Sequence, residues 1–191
     1  MFKVIKNAIS KELADFCYQY FCNKRAVTRL FFDEKYISQV NADWGVWNDE
    51  QIPETYSHYG DIVMETLLQK LKPLMEKETK LKLNETYSYA RIYKKGDELK
   101  KHKDRYSCEI STTLHLGGEQ WSIFLEGKEV KLGVGDMLIY SGCELEHWRE
   151  PFTGENCGQV FLHYNDVSKD TAEKNKFDGR PILGLPSWFK K

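Results

Sequence analysis

His102-Lys103-Asp104 opens, and Glu146-His147-Trp148-Arg149 closes, the stretch that decides the fold of this chain. Between them runs a series of short alternating segments, the last being Gly135-Asp136-Met137-Leu138-Ile139-Tyr140. Residues at i and i+2 of an extended chain project to the same side, so His102 and Asp104 can ligate one ion with little backbone distortion. His147 follows far enough along for a hairpin or two to bring the chain back. Two imidazoles and one carboxylate occupy one face of an octahedral divalent metal and leave the opposite face open. A His-x-Asp alone is a weak signal and reads equally as two solvated polar residues in a turn beside the lysines. Its weight comes from the strands around it.

Outward from this stretch, the period is that of β structure. Tyr87, Tyr89, Arg91 and Tyr93 alternate with Ser88, Ala90 and Ile92, and Lys95-Gly96-Asp97 forms a turn. Cys108 to Leu116 alternates again: Ile110, Thr112, Leu114 and Leu116 on one face, Ser111, Thr113 and His115 on the other. Trp121 to Leu125, Lys128 to Leu132, Asp136 to Tyr140, Glu146 to Arg149 and Gln159 to Tyr164 complete the set. Short strands at regular spacing with Gly-bearing turns predict a sandwich or jelly roll. With His147 starting a strand, Arg149 shares its face and reaches inward. Trp148 reads as packing, His163 as a core histidine, His58 as a loop residue and Asp136 as the anchor of its turn. Arg105 reads either as a mouth residue or as a solvated one.

Upstream, Ser10 has the character of an N-cap, and Leu13, Phe16, Cys17, Tyr20 and Phe21 follow at helical spacing. A helix over about 11–25 is expected. A second helix starts at Gly60 or Asp61 and carries an apolar face through Leu67, Leu71 and Leu74, with Pro73 predicting a kink or a fresh start. The segment between, Phe31 to Tyr59, is irregular and aromatic. It reads as a lid or substrate-facing loop, or as a loop packed down by its own rings.

Bulk properties set limits. At 191 residues, 41% hydrophobic and 30% charged, one globular domain is expected over 1–191. Helical support would span about 1–80, a β core about 84–166 and a tail 167–191. A net charge of −1 gives no electrostatic reason to expect nucleic acid as a partner. No apolar run is long enough for a membrane span, and Met1 to Lys6 lacks the apolar core of a signal peptide, so a soluble cytoplasmic protein is expected. Five cysteines, an odd number with no Cys-x-x-Cys pair, argue against a zinc ribbon or a disulfide framework. Oligomeric state has no signal in the sequence.

Five stretches together resemble a known family: Tyr87 to Leu99, His102-Lys103-Asp104-Arg105, Gly135-Asp136 to Tyr140, His147-Trp148-Arg149-Glu150, and Gln159 to Tyr164. The family is the prolyl-4-hydroxylase-like branch of the Fe(II)/2-oxoglutarate-dependent dioxygenases. The resemblance covers about residues 84–166, and the N-terminal helices look like the supporting helices of that family. It implies a mainly β, cupin-like jelly roll, the double-stranded β-helix, with the site at its open end. His102, Asp104 and His147 would be the iron ligands and catalytic centre. Tyr93 would hydrogen-bond the cosubstrate, and His115 falls where a related member places another polar cosubstrate contact, with a different residue type here. The implied reaction uses Fe(II), O2 and 2-oxoglutarate. It hydroxylates an unactivated C–H while 2-oxoglutarate is oxidatively decarboxylated to succinate and CO2. A prolyl residue of a peptide or protein, or a small molecule, is the candidate substrate.

One departure matters. The family's basic residue, about nine to twelve positions after the distal His, is missing: that window holds Asn156, Cys157, Gly158 and Gln159. Arg149 is the best substitute, because a planar guanidinium suits bidentate carboxylate binding; the bland alternative is a surface pair with Glu146 or Glu150. Arg91, on the strand face of Tyr93, is the second candidate. Two rival functions remain. A cupin-type metal enzyme without 2-oxoglutarate would carry a fuller His-rich ligand set. A non-catalytic β-sandwich binding module would hold the three residues by coincidence.

Overall fold

A computed structural model describes residues 1–190. In chain order its elements are β1 (Phe2–Ile5), α1 (Lys11–Asp33), β2 (Tyr56–Tyr59), α2 (Ile62–Thr79), β3 (Leu83–Lys94), β4 (Leu99–His102), β5 (Ile110–Gly118), β6 (Ile123–Leu125), β7 (Lys128–Val130), β8 (Met137–Ser141), β9 (His147–Arg149), β10 (Asn156–Asp166) and the short α3 (Ala172–Asn175). The strands form two antiparallel sheets. The major sheet has the order β1-β8-β5-β10-β3-β2 and the minor sheet β4-β9-β6-β7.

Strand alternation explains the layering. On β8, Met137 and Ile139 join Leu67, Leu68, Leu71 and Phe21 in the core between major sheet and helices. Leu138 and Tyr140, between them in sequence, join Ile123, Leu125 and Leu132 in the core between the sheets. A strand covered on both faces carries no solvent-facing row, and every residue of β8 is buried. Burying each large aliphatic side chain contributes about 1.5–3 kcal/mol, so the first core seats the helices on the major sheet and the second holds the two sheets at a defined separation. The gap between them is the cavity described below.

Three expectations are corrected here. The first helix runs to Asp33, well past the expected end near 25, because Thr28 and Phe32 continue its buried stripe. Thr28 also ties its hydroxyl to Lys24 O at 2.7 Å. Of the kink or fresh start expected at Pro73, the fresh start does not occur, since the residue lies inside α2; the face of Leu67, Leu68, Leu71 and Met75, pressed on the sheet, outweighs the lost backbone bond. Trp121 falls outside β6. Three strands are additional to those expected: β1, which pairs with β8, β2, inside the aromatic segment, which pairs with β3, and β4. Asp136 anchors its turn as expected, accepting from Gly133 N at 2.8 Å and Asn7 N at 3.0 Å.

Two polar hubs fix the helices and the tail. Asp61 caps α2 through Val63 N and Met64 N and accepts from Tyr20, Lys24 and His58. Arg180 in the tail pairs with Glu65 of α2 at 2.7 Å, both fully enclosed. The tail then presents Asp178 to Tyr59 Oη at 2.8 Å and Arg105 at 3.1 Å. No helix among the described residues is long and apolar enough to cross a membrane.

Candidate metal centre

β4 and β9 pair antiparallel with His102 opposite His147, so two residues far apart in the chain become cross-strand neighbours with ring centroids 4.2 Å apart. Asp104 follows just beyond β4. Its N–H donates to Gly142 O at 2.9 Å, and Ser111 Oγ donates to its Oδ2 at 3.2 Å. Asp104 Oδ1 lies 3.6 Å from His102 Nε2 and 3.5 Å from His147 Nε2. The ligand atoms of all three residues lie within 4.8 Å of one another.

The histidine tautomers follow from the backbone. His102 Nδ1 faces Lys100 O at 2.8 Å and His147 Nδ1 faces Leu145 O at 3.0 Å. A carbonyl accepts only, so each Nδ1 carries the proton and each Nε2 turns a lone pair toward Asp104. His147 is 2% exposed. Burial works against ionisation of Asp104, but the imidazoles of His102 and His147 outweigh it and hold the carboxyl well below the usual range. Burial likewise opposes charge on His102, and the neighbouring Asp104 carboxylate with the Lys100 carbonyl outweighs that, raising its pKa. One carboxylate oxygen and two imidazole nitrogens converging in this way suit a divalent first-row metal.

The triad opens on a cavity of about 200 Å³. Tyr87, Tyr89, Arg91 and Tyr93, alternate residues of β3, form one wall, and Tyr140 and Phe161 add to it. The aromatic segment between α1 and β2 supplies the rim. Its rings anchor it: Phe32 on Trp47 at 5.5 Å and Trp47 on Tyr56 at 4.8 Å. Its polar side chains reach inward. Asp49 pairs with Arg91 at 2.7 Å and accepts from Tyr89 Oη. Gln51 accepts from Arg91 at 2.9 Å and sets its amide nitrogen 3.1 Å from His102 Nε2. The rings of this segment are packed down, as one of its two readings expected, while Asp49 and Gln51 line the cavity.

Arg149 is 1% exposed, on the same face of β9 as His147, so the surface pairing with Glu146 or Glu150 does not occur. It donates to Trp121 O at 2.5 Å and to Thr113 Oγ1 at 3.3 Å. Its Nε has no partner, and neither has the buried hydroxyl of Tyr93. Burial raises the Tyr93 phenol, opposed by the charges of Arg91 and Arg149. Among the described residues no carboxylate pairs with Arg149, whereas Arg91 already has Asp49. His115 is placed elsewhere: its nitrogens face Leu132 O at 2.9 Å and Gly117 O at 3.0 Å; neither His115 nor Arg149 lines the cavity itself, Arg149 lying behind it against Tyr93 and Trp121. The carbonyls of Leu132, beyond β7, and Gly117, at the end of β5, claim both ring nitrogens, which leaves neither for the expected cosubstrate contact.

His163 is buried and does line the cavity, its Nδ1 2.9 Å from Ser111 Oγ; burial pushes its pKa down to about 4. Trp148 stacks on Phe124 at 5.3 Å, and Arg105 stands 4.7 Å from the Tyr87 ring. Sequence reasoning did not single out Asp49, Gln51 or Gly142. A shared face with Tyr93 could have found Tyr87 and Tyr89; no pattern marks Gln51.

No family model and no curated protein sequence matches this chain. Solved structures do. A Pseudomonas putida prolyl-4-hydroxylase aligns at 15% identity and a TM-score of 0.57, over 87% of this chain and 93% of that one. HygX from Streptomyces hygroscopicus, with nickel and 2-oxoglutarate bound, aligns at 12% and 0.59, over 87% and 83%. AviO1 from Streptomyces viridochromogenes aligns at 13% and 0.64, over 90% and 92%. At such identities the likeness speaks for architecture, and the chain has the double-stranded β-helix fold of the Fe(II)/2-oxoglutarate-dependent oxygenases.

Proposed function

We propose that the chain is an Fe(II)/2-oxoglutarate-dependent oxygenase that hydroxylates an unactivated C–H of a peptide, prolyl residues included, or of a small molecule. The observation that carries this reading is the convergence of His102, Asp104 and His147, with both Nε2 lone pairs and the Asp104 carboxylate facing one point. These three residues would hold the metal on one face, leaving the cavity side for cosubstrate and O2. When bound, iron and 2-oxoglutarate supply the oxidation: O2 is consumed, one oxygen atom enters succinate as CO2 leaves, and the other enters the substrate C–H.

The chain's own side chains do the rest. Lys100 O and Leu145 O fix the tautomers of the two histidines. Tyr93 and Arg149 would take the far carboxylate of 2-oxoglutarate. A buried guanidinium with no acid partner is costly unless an anion completes it, and Tyr93 offers an unpaired donor in the same place. The β3 tyrosines and the rim of Asp49 and Gln51 would hold substrate and exclude water.

His102→Ala and Asp104→Ala should each abolish 2-oxoglutarate-dependent succinate formation and uptake of Fe(II) under anaerobic conditions, while circular dichroism stays that of the unaltered chain. Undiminished metal uptake and turnover in either variant would remove the reading.

A further inference from the structure

Arg105, the residue after Asp104, stands between two depressions. Its guanidinium lies 4.7 Å from the ring of Tyr87, which lines the metal cavity. Its other side lines a second, more open hollow of about 460 Å³, shared with Ser107, Lys174, Asn175, Asp178 and Lys190.

The chemistry of this hollow is one-sided. Among the described residues that line it, Arg105, Lys174 and Lys190 are three cations, against the single carboxylate of Asp178. That carboxylate is already engaged, accepting from Tyr59 at 2.8 Å and Arg105 at 3.1 Å, with Lys190 Nζ at 3.5 Å. Lys174 has no acid partner and the Asn175 side-chain amide no bond among the described residues; Glu173 nearby is claimed by Lys176 at 3.9 Å. Ser107 is the decisive residue. It is 6% exposed, it borders the hollow, and its hydroxyl has no partner among the described residues. Buried hydroxyls are nearly always bonded, and an orphan one calls for an explanation. Asp178, which lines the hollow, is held in an unusual backbone with a φ of +56°. Non-glycine residues adopt such values at a cost, when surrounding contacts over-determine them.

We propose that this hollow binds a phosphate-type oxyanion at the remote end of the substrate, whose reacting carbon reaches across Tyr87 to the metal centre. The substrate class is therefore a small phosphate ester. A dianion matches the surplus of two positive charges, and a tetrahedral oxyanion can use donors arriving from several directions: the Arg105 fork, Ser107 Oγ, the Asn175 amide and two ammonium groups. The assignment of this anion to a substrate rests on the oxygenase reading above; the anion site itself does not.

The test is a titration of the 15N-labelled full chain, without metal, with inorganic phosphate and with glycerol 3-phosphate, followed by amide chemical shifts at fixed ionic strength. Saturable shifts are expected at Arg105 to Cys108 and at Lys174 to Gly179, with glycerol 3-phosphate binding at least as tightly as phosphate. Lys174→Ala/Lys190→Ala should weaken binding at least tenfold and Ser107→Ala several-fold, whereas His102→Ala should bind both probes as the unaltered chain does. No saturable response, equal affinity in the lysine double variant, or binding of inorganic phosphate alone would each overturn the proposal. Failure of the oxygenase reading shows separately, as absent metal uptake and succinate formation with phosphate-ester binding intact.

Discussion

The amide nitrogen of Gln51 lies 3.1 Å from Nε2 of His102. Because Nδ1 of that ring gives its proton to Lys100 O, Nε2 accepts from Gln51, and the same lone pair is the one a metal would use. A loop residue and an ion compete for one nitrogen. Gln51→Leu removes the competitor, which is one hydrogen bond of about 0.5–1.5 kcal/mol. Affinity for Fe(II) or Co(II), measured by anaerobic calorimetry, should therefore rise by about two- to tenfold. A fall in affinity would show instead that Gln51 helps hold the ligand in place.

Arg149→Lys keeps the charge and loses the fork. On the proposed reading the variant binds metal as before but 2-oxoglutarate about 10–100-fold more weakly, the range for a lost charge-assisted bond. Arg91→Gln should cost 2-oxoglutarate affinity less, since Asp49 already neutralises that guanidinium. Equilibrium binding of 2-oxoglutarate to the Co(II)-loaded protein checks both; the reverse ranking would move the anion anchor to Arg91.

Gly142 touches the site without being a ligand. A Cβ there would sit 2.5 Å from Asp104 Oδ2 and 2.7 Å from Ser111 Oγ, and would also meet the carbonyl of Cys108. Gly142→Ala must push the Asp104 carboxylate off its line to the two imidazoles. Metal affinity is expected to drop at least tenfold with secondary structure retained. Ligand geometry is that sensitive to a supporting neighbour; unchanged affinity would mean Asp104 adjusts freely.

Protonation of His163 sets an acid limit on the metal-free protein. Burial pushes this imidazole down to about 4, against about 6.5 when unfolded. The unfolded chain thus takes up a proton first as pH falls, and stability declines from about pH 6.5 toward pH 4. Urea midpoints across that window should fall, and His163→Gln should flatten the decline. An equally steep profile in the variant would assign the acid sensitivity to other groups.

The parts of the site legible in the sequence were those tied to strand period. His102 and Asp104 stood at i and i+2, and Arg149 stood two after His147, so a shared inward face followed from the pleat alone. Tyr93 and Arg91 followed from the same alternation on β3. What escaped depended on contacts distant in sequence. Gln51 reaches His102 only because Phe32, Trp47 and Tyr56 press its loop down, and no local pattern announces that. His115 obeys the alternation of β5, yet carbonyls from Leu132 and Gly117 capture its ring. The length of α1 was hidden because the β-branched pair Val27-Thr28 is a poor helix signal by propensity, while the buried positions of Thr28 and Phe32 are set by Trp44 O and the Trp47 ring of the aromatic segment.

β9 is three residues long, and its first and last carry a metal-facing imidazole and the enclosed guanidinium. One pleat repeat, roughly 7 Å of backbone, separates them, and the pairing of β9 with β4 and β6 on either side fixes that spacing. If a diacid lies between the two, β9 acts as a caliper: a shorter homologue leaves one end ungripped and a longer one must buckle.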